Sequence, residues 1–253
     1  MSIQNRDSLK NYFRKGQIPS ERHFKDLIDS MINKVDDGMS KTLDDGLVLS
    51  PIGSSKKLIS FYKSIEDKNP AWSFQIDSGD ASLDINNHLG DAIMSFKSDG
   101  KIGISTRQPR YELDVNGTFA TKNRMGTFHQ GKIFADGKWH PVLEGLNGCY
   151  GLEVVAGIGK KKTGKYALIH AFAFSTFGKS KNKIKVNQAY YGVRCNKIEL
   201  RWTGSTYNYN LEMRTRCSYG GNYFVKYHIT NLWLDHFMDN SLDDEGDSVL
   251  PNQ

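Results

Sequence analysis

The sequence predicts a mainly β protein with a short N-terminal helical segment, a small strand-rich stem and a C-terminal antiparallel β-sandwich that is jelly-roll-like. Two observations support this prediction. The 253 residues include 24 Gly, 4 Trp, 12 Tyr and 13 Phe, a composition that suits short strands joined by tight turns. The hydrophobic fraction of 38% is low for one large core, so we expect two or three small domains.

The order of these patterns along the chain predicts four segments. Residues 1–38 form a helical anchor or docking segment, and residues 39–123 form a short-strand stem that includes a connector. Residues 124–238 form the β-sandwich domain, and residues 239–253 form an acidic tail on the surface.

The first segment is predicted to contain two helices. Residues 8–15 suit a short helix, and Ser20 is a good N-cap for a second one of about four turns that ends at residues 36–38. Its apolar positions are spaced four, three and four apart, namely Phe24, Ile28, Met31 and Val35. This stripe either packs on the chain's own downstream domain or docks on a partner or in a short trimeric seam; it is too short to indicate a coiled coil.

The middle segment is predicted to consist of short strands whose starts recur about every ten residues. They are residues 46–49, 57–62, 72–76, 82–85, 92–96, 101–105 and 111–115. This spacing favours a small sandwich or a β-prism. Because the unit is small and its apolar content is low, we expect partner chains to complete its core.

The third segment has longer strands that are richer in aromatic residues. Nine are predicted, at residues 127–133, 139–144, 151–156, 166–174, 184–191, 197–202, 207–214, 223–229 and 232–234. Glycine and asparagine turns join them, which favours an antiparallel sandwich.

The charge pattern indicates a basic surface within an otherwise mildly basic protein. A net charge of +6 does not by itself argue for nucleic acid, and none is expected as a partner. Residues 154–198 contain no acidic residue, and their two loops carry the candidate basic surface patch, Lys160, Lys161, Lys162, Lys165, Lys179, Lys181, Lys183 and Lys185. Three readings stay open: binding of an anionic glycan or lipid headgroup, binding of a neighbouring subunit's acidic tail, or ordinary solubilising charge.

No catalytic residue, cofactor or metal site is predicted. Cys149, Cys195 and Cys217 are an odd number without CxxC spacing, so buried free thiols are favoured over disulfides or zinc. Residues 159–165 match the opening of a phosphate-binding loop, but Tyr166 replaces the required Ser or Thr and a strand follows. His170 lies on a strand and is interpreted as a satisfied core residue.

A cluster of aromatic residues near the end of the chain has two possible roles. Its members are Tyr190, Tyr191, Trp202, Tyr207 and Tyr209. They form either a platform on which sugars stack or, more commonly for such spacing, core and cross-strand pairs.

The N-terminus has no apolar segment of the kind found in signal peptides, and no stretch approaches the ~20 apolar residues of a membrane span. We therefore expect assembly in the cytoplasm, after which the protein becomes part of an extracellular or released particle.

Several stretches resemble one family. Residues 100–118, GKIGISTRQPRYELDVNGT, resemble the connector that precedes the C-terminal module in bacteriophage tail fibres and tail-like particles. Residues 8–38 are similar to the N-terminal segment of tail-associated proteins encoded with bacterial contractile injection systems. Residues 135–174 and 191–217 are similar to the C-terminal domain of that group.

The resemblance implies a non-enzymatic, homotrimeric structural protein, either a short fibre or adhesin on the baseplate or an accessory protein elsewhere on the particle. Its expected partners are copies of itself and other particle subunits, with a surface glycan or the envelope as a further candidate. Two other classes remain open, a free-standing carbohydrate- or surface-binding module and a tail enzyme that degrades polysaccharide.

Overall fold

The computed structural model describes residues 4, 6–31, 37–64 and 66–241, and the chain forms two compact units, residues 1–120 and 121–253. Within the described ranges it contains two short α-helices, sixteen strands and two 3-10 turns. The mainly β fold with a short helical N-terminus and antiparallel sheets is therefore confirmed.

Both predicted helices are present, with bounds that differ from the predicted ones. Helix α1 spans Arg6–Tyr12, and α2 spans Glu21–Asp29. Ser20 is the N-cap of α2, and its backbone N–H donates to His23 Nδ1 at 3.2 Å. The predicted four-turn helix is not continuous: α2 ends at Asp29, where the Ser30 hydroxyl donates to the Asp26 carbonyl at 2.6 Å, and residues 30 and 31 are not helical. Residues 32–36 lie outside the described residues, and Asp37 at the predicted end is helical.

The first unit continues with two sheets. A hairpin of β1 (Met39–Thr42) and β2 (Gly46–Leu49) comes first, and β1 was not predicted. A six-stranded sheet follows in chain order, with the strands β3 (Lys57–Phe61), β4 (Trp72–Ile76), β5 (Leu83–Asn87), β6 (Ala92–Phe96), β7 (Ile102–Ile104) and β8 (Leu113–Val115). Strands β3 to β8 lie side by side in that one sheet instead of forming a sandwich.

All neighbours in the six-stranded sheet are antiparallel except β7 and β8. A parallel pair needs a crossover, and residues 105–112 provide it. A Cβ on Gly103 would collide with the Thr106 carbonyl oxygen, and the Arg107 Nε lies 3.2 Å from an Asp84 carboxylate oxygen. The crossover therefore covers the sheet face on which Gly103 and Asp84 lie.

The second unit is a sandwich of eight antiparallel strands. They are β9 (His129–Phe134), β10 (His140–Leu146), β11 (Cys149–Lys160), β12 (Lys165–Thr176), β13 (Lys183–Tyr190), β14 (Ile198–Gly204), β15 (Tyr209–Thr215) and β16 (Phe224–Asn231). One sheet has the order β13-β12-β11-β16-β9 and the other β10-β15-β14. The first strand of the unit, β9, pairs with the last, β16, and the second, β10, pairs with the seventh, β15, as in a jelly roll. Strands β11, β12 and β13, in contrast, form a meander.

Both sheets contribute to one core. Alternate residues of β11 and β12 point into it, and Leu152, Val154 and Ala171 are completely buried. The smaller sheet adds Leu211 and Met213, which are also completely buried. This alternation is what the period of two in the sequence predicts.

Two expectations for this unit are wrong. Residues 232–234 form no ninth strand; there the Trp233 indole donates to the Asp235 carbonyl at 2.5 Å. Cys195 and Cys217 form a disulfide, and only Cys149 is a free, buried thiol. The pairing of β14 with β15 brings the residues that flank the two strands together, so the Cα atoms of the two cysteines lie 5.0 Å apart.

Candidate functional site

The six-stranded sheet carries two continuous apolar rows on one face. Cross-strand pairing places one apolar side chain of every strand in the first row, which is Ile59, Phe74, Ile85, Met94, Ile104 and Val115. The second row runs parallel to it from β4 to β8 and is Ile76, Leu83, Phe96, Ile102 and Leu113. We call this surface the apolar face.

The opposite face carries small and polar residues, and it is the buried one. Ser73 pairs with Asn86, and Ser95 pairs with both Asp84 and Gly103. Ser73, Asn86 and Ser95 are 2%, 1% and 0% exposed. The crossover at residues 105–112 accounts for part of this burial.

The apolar face is only partly covered: Leu113 is exposed, and the other ten side chains of its two rows are half-buried. Apart from Pro70 and Pro109, which lie outside the strands, every buried apolar side chain of the described residues lies at position 133 or later, so none belongs to the six-stranded sheet. Leu113 is 54% exposed, and Phe61 and Trp72 at the sheet's edge are 48% and 46% exposed. Because contiguous apolar surface on a folded unit marks an interaction site, the apolar face is the strongest candidate functional site.

The helical segment presents a second apolar surface. Phe24, Ile28 and Met31 are 51%, 62% and 56% exposed, whereas Asp26 of the same helix is buried. The Tyr12 hydroxyl donates to that Asp26 carboxylate at 3.4 Å. The predicted docking residues Phe24, Ile28 and Met31 are thus exposed, although the Phe24 ring also packs edge-on against Phe13 with 5.7 Å between centroids. Their docking role stays a prediction, and Val35 lies outside the described residues.

The eight lysines of the candidate basic patch form two separate clusters. Lys160, Lys161, Lys162 and Lys165 lie at the hairpin between β11 and β12. Lys179 and Lys181 lie in the loop after β12, and Lys183 and Lys185 lie on β13 opposite Phe174 and Phe172. The seven residue steps of β12 from Lys165 to Phe172, which pairs with Lys185, span about 23 Å at ~3.3 Å per residue, so one small ligand cannot contact both clusters. Among the described residues, no ion pair involves any of the eight lysines.

The aromatic cluster is split in the same way. The Tyr191 N–H donates to the Tyr166 carbonyl at the hairpin end, whereas Trp202 and Tyr207 lie at the end with Lys179. Tyr209 is buried, its hydroxyl donates to the Gly148 carbonyl at 2.8 Å, and burial raises its pKa to about 12. Tyr209 is therefore a core residue and remains protonated at neutral pH.

His170 is not the core residue that its strand position suggested. It lies on the outer face of β12, where its Nε2 is 2.8 Å from an oxygen of the buried Glu153 carboxylate. Arg124 donates to both oxygens of the same carboxylate, at 2.6 and 2.7 Å. The sequence analysis did not predict this network. An acidic residue within an apolar run, Glu153, was the feature that could have indicated a buried carboxylate with partners.

Two further findings concern the described residues only. They contain no group of three His, Cys, Asp or Glu side chains arranged to hold a metal ion. None of their helices has the length and apolar character needed to cross a membrane.

Comparisons with known proteins give little similarity. No protein-family model and no curated protein matches the chain. The crystal structure of the tailspike protein of Acinetobacter phage vB_ApiP_P1 is similar over 46% of this chain and 24% of that chain, with 15% sequence identity and a TM-score of 0.28. A likeness of this size to a phage tail protein carries no argument about function.

Proposed function

We propose that this chain is a non-enzymatic structural subunit of a phage tail-like contractile injection particle, a trimeric short fibre, adhesin or accessory protein attached through its N-terminus. The observation that carries the assembly part of the proposal is the inverted burial of the six-stranded sheet, whose polar face is buried while its apolar face stays only half-buried. The particle context rests on the resemblance of residues 8–38 and 100–118 to tail-associated proteins.

Three copies arranged about an axis would turn the apolar faces toward one another and form a prism with a shared core. Eleven side chains form the two rows. If each gains about 1 kcal/mol from the water it still contacts, the rows contribute on the order of 10 kcal/mol per copy. A closed ring of copies also leaves no apolar face open to further association.

The two other regions have separate roles in this proposal. The exposed stripe of Phe24, Ile28 and Met31 attaches the subunit to the particle, together with Val35. The sandwich of residues 124–238 presents its loops outward.

Light scattering of the full chain at micromolar concentration tests the assembly. We expect a mass of about 86 kDa, three times 28.6 kDa. A monomer under these conditions contradicts the trimeric stem. Turnover of a polysaccharide that is lost on changing one Asp, Glu or His would contradict the non-enzymatic assignment.

A further inference from the structure

The outer face of the five-stranded sheet carries a row of aromatic side chains. Cross-strand pairing places Phe134 of β9 beside Phe224 of β16, with 4.7 Å between the ring centroids. Tyr166 of β12 pairs with Gly159 of β11, and the Tyr191 N–H, directly after β13, donates to the Tyr166 carbonyl at 3.0 Å. Phe134, Phe224 and Tyr166 each adjoin a core residue, so strand alternation places them on the outer face. We call the four rings the aromatic row; it crosses all five strands and is about 19 Å long at ~4.8 Å per strand.

Two glycines hold the tyrosine rings of the aromatic row in place. A Cβ on Gly159 would lie 2.6 Å from the Tyr166 ring, and one on Gly164 would lie 3.1 Å from the Tyr191 ring. Each ring therefore rests against backbone that carries no side chain, while Tyr166 and Tyr191 remain 45% and 66% exposed. Because exposed aromatic rings that are already fixed stack on a ligand at a low entropic cost, this half of the row suits an uncharged ring.

A pair of lysines lies beside the other half of the aromatic row. Lys226 of β16 pairs directly with Lys132 of β9, and the two lie two positions along their strands from Phe224 and Phe134. Both lysines are exposed, and neither forms an ion pair with a described residue. Like charges directly opposite each other destabilise a sheet, so an anion bound between them would relieve this repulsion. The groove at this lysine pair has a volume of about 380 Å³, which is within the ~300–1,000 Å³ typical of ligand sites.

No free carboxylate neutralises the lysine pair on this face. Glu153 is the only carboxylate that the described strands place there, and it is already bound by the arginine and the histidine described above. It lies about 13 Å along β11, at ~3.3 Å per residue, from Gly157, which pairs with Lys226. Asp136, just beyond β9, is held by the His140 Nε2 at 2.8 Å. The lysine pair is therefore open to an acidic ligand.

The strand positions beside the two tyrosines carry no charge. Gly157 pairs with Leu168, which in turn pairs with Ala189, and both apolar side chains are exposed. Together with Tyr166 and Tyr191 they line a second depression of about 320 Å³.

Two lysines of the adjoining hairpin are engaged with other residues. The Lys160 ammonium lies 4.6 Å from the Tyr223 ring centroid, and the Lys165 ammonium donates to the Tyr219 carbonyl at 3.4 Å. Among the strand positions of the outer face, the phenylalanine half of the aromatic row thus has two free cations beside it, and the tyrosine half has none.

We propose that this surface binds an acidic polysaccharide in which charged and uncharged sugars alternate. An acid group lies between Lys132 and Lys226, and the neighbouring uncharged sugar stacks on Tyr166 and Tyr191. A single-stranded nucleic acid carries a charge on every unit and would need cations beside the tyrosines as well. The inference rests on the adhesin form of the proposed function and deepens it by naming the class of target. All of its residues belong to one copy of the second unit, so binding is measured separately from assembly.

Isothermal titration calorimetry of the full chain tests the proposal with three probes of six units each. They are a hyaluronan hexasaccharide, in which glucuronate alternates with N-acetylglucosamine, the uncharged chitin hexasaccharide, and a hexanucleotide of oligothymidylate. We expect hyaluronan to bind at least tenfold more tightly than either other probe, because only hyaluronan offers charge to one half of the surface and an uncharged ring to the other. Added salt should weaken hyaluronan binding, since the two lysines are exposed.

Two variants and their matched controls assign the contacts. Lys226→Gln removes one charge of the lysine pair, and Lys185→Gln removes the same charge from a position on the same face that pairs with Phe172. Tyr191→Ala removes a 66% exposed ring, and Tyr207→Ala removes a 71% exposed ring at the other end of the sandwich. Because all four side chains are exposed, each variant should keep the wild-type circular dichroism spectrum. We expect Lys226→Gln and Tyr191→Ala each to weaken hyaluronan binding about tenfold and the two controls to leave it unchanged.

The proposal is overturned if hyaluronan does not bind at millimolar concentration, if the chitin hexasaccharide or the oligothymidylate binds as tightly, or if the variants and their controls behave alike. Hyaluronan binding by a monomeric chain would contradict the trimeric assembly alone, whereas a trimer that does not bind hyaluronan would contradict this inference alone.

Discussion

Replacing Met94 by Asp tests the apolar face where it should matter most. Met94 lies in the middle of the first row, between Ile85 and Ile104, on a strand that has neighbours on both sides. In the proposed trimer the substitution removes apolar contact and places a carboxylate in a shared core. We expect a cost of roughly 3 kcal/mol per copy.

Three copies multiply that cost. A loss of about 9 kcal/mol per trimer lowers the association constant about a millionfold, so the variant should be monomeric at micromolar concentration. A single copy should still fold, because Met94 remains partly exposed there and an exposed strand position changes stability by only ~1 kcal/mol.

The assay is light scattering combined with thermal unfolding followed by circular dichroism. Leu89→Asp is the matched control, because Leu89 is 73% exposed in the turn after β5 and lies outside both rows. The control should keep the wild-type mass. If Met94→Asp also keeps the wild-type mass and melting profile, the apolar face is not the interface.

Two further predictions concern the sandwich. Cys195→Ser removes a disulfide that joins residues 22 positions apart, so the free energy of unfolding measured in urea without reductant should fall by about 3 kcal/mol. Adding reductant should lower the free energy of unfolding of the wild type and leave that of the variant unchanged. If reductant lowers both equally, the disulfide is not the cause. Burial raises the pKa of Tyr219 to about 12, while its hydroxyl donates to the Asn196 carbonyl at 2.9 Å. Because the folded state holds this proton more tightly than the unfolded chain, the stabilisation is complete below pH ~10 and is lost as the pH rises toward 12. Unfolding midpoints measured over that range should fall more steeply for the wild type than for Tyr219→Phe, and parallel curves would refute the assignment.

Much of the secondary structure could be predicted from local pattern. Strands β2, β4 and β6 have the predicted bounds, because alternating apolar residues and turn residues act over a few positions. The end of α2 could not be predicted, since it depends on one side chain, Ser30, that competes for a backbone carbonyl. The disulfide was missed because spacing along the chain does not reveal which strand ends meet.

The candidate sites, too, could be predicted from the sequence only in part. The sequence identified the lysines, the exposed stripe of α2 and the low apolar content of the middle segment. It treated the lysines as one surface, whereas β12 separates them into Lys160–Lys165 and Lys179–Lys185 groups at opposite ends. It also had no means of finding that Lys179, Ile184, Leu200 and Trp202 line one cleft, because β13 and β14 belong to two different sheets.

The sequence by itself determined that this protein is mainly β, where most strands lie and that its middle segment is poor in apolar residues, because these properties follow from composition and short-range periodicity. Only the tertiary structure decided that strands β3 to β8 form one sheet whose apolar face is less buried than its polar face. Burial depends on which face the crossover at residues 105–112 covers, and that is set by the parallel pairing of β7 with β8. Long-range strand pairing also decides that Trp202 and Lys179 line one cleft, whereas Tyr191 lies at the other end of the sandwich.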